Sequence, residues 1–112
     1  MAEPWQTAAA SVPGPGRARN ADAHSVFRTR DGNGQRVTGL CLADGAGSAC
    51  KGREGARLAV ATFKACVMAD GPNEVKLCPR LMRTWLQATR QAVCDAPKAG
   101  ETVRDYASTF LA

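Results

Sequence analysis

The sequence predicts an α+β domain: an antiparallel β-sheet with two packed helices. Three observations carry that prediction. Asp31-Gly32-Asn33-Gly34 separates two strand-like segments and is a strong hairpin signal. Residues 53–69 and 79–94 then repeat apolar side chains at helical spacing. The final stretch, VRDYASTFLA, alternates partly and reads as a further strand. A chain of 112 residues suffices for one small domain, and an apolar content of 45% is enough for it to fold.

Each element has its own warrant. Residues 4–12 (PWQTAAASV) read as a short, weakly patterned first strand, and residues 13–22 (PGPGRARNAD) as an irregular Pro/Gly-rich connection. The hairpin strands are residues 23–30 and 36–43. The second, RVTGLCLA, ends in a nearly continuous apolar run, as a buried strand does. Ala56, Ala59, Val60, Phe63 and Val67 form one face of the helix over 53–69, which Asp70-Gly71-Pro72 ends. Pro79 suits the first turn of the second helix, whose inner face is Leu81, Trp85, Ala88 and Ala92. Residues 97–101 are a loop. A sheet with helices on one face leaves the other face open, and the chain stops inside its last strand. Residues 1–112 therefore read as a single partial domain, truncated at its C-terminus and marginally stable by itself.

Composition narrows the function. The net charge of +5 favours anionic partners in a general way. No apolar run approaches a bilayer-spanning length, and the N-terminus lacks the basic and apolar regions of a signal peptide. Cysteines 41, 50, 66, 78 and 94 form no C-x-x-C pair, and His24 is the single histidine, so no zinc site is expected. The scattered, odd count reads as free, mostly buried thiols in a reducing cytosol, which makes the protein cytoplasmic. Arg17, Arg19, Arg28, Arg30 and Arg36 lack interleaved aromatic residues and read as solvated edge residues rather than a nucleic-acid surface. Trp5, Trp85 and Tyr106 read as core or anchor residues.

The chemistry concentrates in residues 42–56, LADGAGSACKGREGA. A phosphate-binding P-loop needs G-x-x-x-x-G-K-[ST], but Cys50 replaces the second glycine and Gly52 the hydroxyl residue. Cys50 also breaks the G-x-G-x-x-G dinucleotide pattern. What remains is Asp44 followed by Gly45. An aspartate at the end of a buried strand is placed to bind a hard cation, and the glycine lets a backbone carbonyl turn toward the same ion. The other reading is that Asp44 caps a turn.

Upstream stands Gly14-Pro-Gly-Arg17-Ala-Arg-Asn20-Ala-Asp22-Ala-His24. G-x-x-R-x-x-N-x-D, a hairpin, an apolar strand ending D-G-x-G-S, and R-x-G-A at a helix start occur in that order. Together they resemble the metal-dependent (type 2C, PPM) Ser/Thr protein phosphatases, most closely the bacterial branch, over about residues 5–112. The resemblance implies half of an α-β-β-α layered sandwich. It implies two divalent cations, manganese or magnesium, that activate water against a phosphoserine or phosphothreonine of a phosphoprotein substrate. It makes Asp44 the catalytic aspartate that bridges both metals, Gly45 the residue lending a carbonyl, and Asp22 a metal-site acid acting largely through water. Arg17 becomes the ligand of the substrate phosphate. Two positions depart from the pattern: Ala21 stands for an acidic residue and Ala46 for a histidine found in some members. His24 reads as a solvated imidazole, and Ser48 has no histidine partner. These departures leave open a non-catalytic phosphatase-like module used for binding or regulation. The charge alone leaves open a small basic nucleic-acid-binding module.

Overall fold

The computed structural model describes residues 6–16, 20–74 and 76–112. Strands β1 (Asp22–Arg30) and β2 (Arg36–Gly45) form an antiparallel hairpin, and β3 (Ser108–Leu111) pairs antiparallel with the other edge of β2. Helices α1 (Gly52–Asp70) and α2 (Pro79–Asp95) lie between β2 and β3 in the chain. A 3-10 turn, Gly71–Asn73, follows α1, and another, Val103–Tyr106, precedes β3.

The hairpin turn sets the sheet's register. Asp31 Oδ1 accepts from the backbone N–H groups of Asn33 and Gln35, each at 2.9 Å. The Asp31 N–H donates to the Gln35 carbonyl at 2.9 Å, and Gly34 takes a φ of 77° that suits glycine. This closure places Arg30 opposite Arg36 and so fixes every pair behind it.

One face of the sheet is covered. Phe27, Cys41 and Ala43 pack against Ala56, Val60, Phe63 and Val67 of α1. Helix α1 touches all three strands, whereas α2 packs chiefly on α1 and on the turn at 103–106. Phe63 sits at the centre, edge-to-face with Trp85 at 6.4 Å and tilted against Phe110 at 5.3 Å. The Trp85 indole N–H donates to Asp70 Oδ2 at 2.9 Å, which ties α2 to the end of α1. The opposite face is open: Leu40, Leu42 and Leu111 are 55%, 51% and 65% exposed.

Several expectations are corrected. Residues 6–12 form no strand, and Trp5 lies outside the described residues. Residues 103–106 form a 3-10 turn rather than a strand, because Thr102 and Asp105 close a capping box. Ala88 is exposed, and Thr89 takes the inner position on α2, with its hydroxyl donating to the Trp85 carbonyl at 2.8 Å. The five thiols are free, but only Cys41 is buried, and Cys50 is exposed. Among the described residues no helix is long and apolar enough to cross a membrane.

The helix start meets backbone directly. A Cβ at Gly55 would lie 2.0 Å from the Tyr106 carbonyl oxygen, whereas one at Gly71 would meet only side-chain methyls at 3.7 and 3.9 Å. Gly55→Ala is therefore expected to cost about 3 kcal/mol or more, because neither backbone can give way. Gly71→Ala should be neutral or stabilising by up to about 1 kcal/mol through the unfolded chain. Urea unfolding of the two variants measures the contrast.

Candidate functional site

The register brings the two predicted carboxylates together. Asp22 pairs with Asp44 across β1 and β2, and Asp44 also faces Thr109 of β3. Directly opposed residues share a face, with Cβ atoms about 5 Å apart. That face is the open one, and both aspartates are exposed. Asn20 steadies Asp22: its Oδ1 accepts from the Asp22 N–H at 3.0 Å, and its amide donates to the Ser11 hydroxyl.

The open face is electrically polarised. Arg28, Arg30 and Arg36 stand at the hairpin end, Asp22 and Asp44 at the other, with Val26, Leu40 and Leu42 between. His24 is exposed on the same face, opposite Leu42 and next along β1 from Asp22. Arg17 and Arg19 lie outside the described residues.

Why Gly45 follows Asp44 is steric. Its N–H donates to the Ala21 carbonyl at 3.2 Å. A Cβ there would lie 2.6 Å from the Gly52 carbonyl carbon and oxygen and 2.9 Å from the Ala21 oxygen. The glycines of the loop thus let the end of β2 and the start of α1 touch backbone to backbone.

Segment 101–107 holds this loop from outside. The Ala46 N–H donates to the Ala107 carbonyl at 2.9 Å, and the Lys51 N–H to the Asp105 carbonyl at 2.7 Å. Glu101 accepts from the Tyr106 hydroxyl at 2.7 Å and from the Lys98 N–H at 2.9 Å, and pairs with Lys51 at 3.6 Å. The Lys98 N–H and the Tyr106 hydroxyl hold the Glu101 carboxyl below its ordinary range. The same carboxylate pushes the Tyr106 phenol from 10.0 up to about 12. Sequence reasoning missed this brace, although T-V-R-D at 102–105 spells a capping box.

The donor set suits one hard cation. Two neighbouring carboxylates provide the anionic oxygens that a divalent ion prefers, with water completing its shell. They do not suit two: Ala21 and Ala46 line a cavity of about 240 Å³ beside the loop, where the pattern would have an acid and a histidine. Among the described residues no three His, Cys, Asp or Glu side chains cluster to hold a metal.

A family model for protein phosphatase 2C matches residues 16–112. The chain belongs to the protein phosphatase 2C family. Comparison with curated proteins and with solved structures returned no match. The three-stranded sheet and two helices agree with part of a phosphatase 2C domain.

The brace predicts two titrations. Glu101, with its pKa lowered on folding, contributes stability that is present above its unfolded pKa and is lost as pH falls through the lowered value. Tyr106 contributes stability that is complete below pH 10.0 and is lost as pH rises through about 12. Ultraviolet titration should find the Tyr106 phenol near 12 in the parent chain. Glu101→Gln should move it back toward 10.0.

Proposed function

We propose that this phosphatase 2C-type domain carries part of a metal-dependent site for phosphoserine and phosphothreonine hydrolysis. The observation that carries the reading is the cross-strand pair Asp22–Asp44 at one end of the open face. Like charges directly opposite are unfavourable by themselves, and a divalent cation reverses that sign. Manganese or magnesium, when bound, supplies water of lowered pKa and neutralises phosphoryl charge. Asp44 gives the anionic oxygen central to that ion, Gly45 a backbone carbonyl, and Asp22 a second carboxylate acting through water. Arg17 binds the substrate phosphate through its guanidinium fork. Residues 1–112 form a partial domain: the apolar open face wants a covering layer, and the family's remaining metal aspartates are absent from this sequence.

A second reading, a phosphatase-like module that binds without turnover, is favoured by Ala21 and Ala46, which stand beside the loop in place of an acid and a histidine.

Manganese titration followed by calorimetry tests the site. One weak ion per chain is expected, and residues 1–112 alone should show no turnover. Asp44→Asn should weaken binding by about tenfold or more, about 1.4 kcal/mol, and Asp22→Asn by less. Joined to a segment that supplies the remaining aspartates, the chain should hydrolyse a phosphothreonine peptide. Asp44→Asn should abolish that activity, and Arg17→Ala should chiefly raise KM. Retention of near-parent turnover by Asp44→Asn would overturn the role given to Asp44. A completed domain that binds manganese without turnover would establish the second reading.

A further inference from the structure

A cleft of about 490 Å³ lies along the outer edge of β1, walled on its other side by α1. Arg53, Arg57 and Lys64 line it from α1, and Asn20, Asp22 and Ser25 line it from the other side. On a helix, positions 53, 57 and 64 fall on one stripe, so the three cations face one volume. Against them stands one carboxylate, Asp22, which leaves a lining charge of three minus one, or +2. Arg53 adds a second, independent sign. Its Nε is buried and has no hydrogen-bond partner among the described residues. Buried donors are almost always satisfied, so Arg53, part of the wall of this cationic cleft, is short of an acceptor, and a cationic wall suits an anionic one. Arg53 also lines the smaller cavity beside the Asp44 loop.

We propose that this cleft binds a phosphoryl dianion, separate from the phosphate attacked at the aspartate pair. Charge matches: a dianion neutralises the +2 lining. Geometry matches as well, since a guanidinium fork takes two phosphoryl oxygens at once and the lysine supplies a point charge. The volume admits a phosphorylated side chain with neighbouring main chain. The phosphoryl group comes either from a second phosphorylated residue of the substrate or from free inorganic phosphate. Only the first source rests on the phosphatase reading above; the binding chemistry does not.

The test uses the 112-residue chain with chelator present, so that the metal site plays no part. Inorganic phosphate, a singly phosphorylated peptide and a doubly phosphorylated peptide are each titrated while the Arg53 Nε–H resonance is followed by NMR. Saturable movement of that resonance by phosphate is expected. Binding of the phosphopeptides should fall as pH drops through their second phosphate pKa, about 6. Arg57→Gln with Lys64→Gln, both exposed positions that should leave the fold intact, should weaken it at least tenfold. Arg80→Gln with Arg83→Gln, which removes the same charge from α2, should leave it unchanged. Asp44→Asn should also leave it unchanged, since of the aspartate pair only Asp22 lines the cleft. A doubly phosphorylated peptide binding tenfold tighter than phosphate assigns the substrate as the source, and equal affinities assign free phosphate. An Arg53 resonance that does not saturate, or equal losses in the two double variants, overturns the proposal.

Discussion

The first turn of α1 rests on backbone, not on side chains. Gly52 lies against the end of β2, and Gly55 against the carbonyl of Tyr106. Contacts this close exclude even a methyl group, so three segments far apart in the chain share one layer of peptide groups. The amides of Ala46 and Lys51 then reach carbonyls of the 105–107 segment, and the loop after Asp44 has little freedom left. The position of Asp44 is therefore inherited from packing on the covered side of the sheet, although its carboxylate stands on the open side.

That covered side is small and aromatic. Phe63 touches both Trp85 and Phe110, so a single side chain joins the helical layer to the last strand. Truncating such a residue to alanine typically costs about 3–5 kcal/mol, a large share of a small domain's stability. The open side bears leucines where a solvated sheet would bear polar residues. Its charges are sorted by end rather than interspersed, with arginines at the hairpin turn and aspartates at the loop. An anionic group thus meets attraction at the arginine end of this face and repulsion at the aspartate end.

Much of this was legible in the sequence. The Asp31-Gly32-Asn33-Gly34 turn announces the hairpin, and once Arg30 faces Arg36, counting back along both strands brings Asp22 opposite Asp44. The apolar spacing of α1 named every large buried side chain on its inner face. The failures have local causes. The 103–106 segment carries strand-like apolar residues, but Thr102 and Asp105 satisfy each other's backbone and wind it into a turn. On α2 the stripe follows Leu81, Trp85 and Thr89, because the threonine hydroxyl is satisfied by its own helix and can be buried. The 4–12 segment has no pattern strong enough to choose a partner strand. Arg53 carried no signal at all, since a helical arginine is ordinarily solvated and only the fold shows its Nε buried.

The pairing of β3 with the loop end of β2 bears on the order in which the chain folds. The hairpin and α1 are local and can form as soon as their residues exist. The amides of Ala46 and Lys51 find their acceptors only when residues 105–107 arrive, after both helices. Closing so long a loop is entropically slow, and it follows both helices during synthesis. Until then the loop between β2 and α1 lacks these two hydrogen bonds. A ribosome paused between α2 and β3 would hold a chain whose carboxylates already face each other while the brace that fixes the loop beyond them is missing.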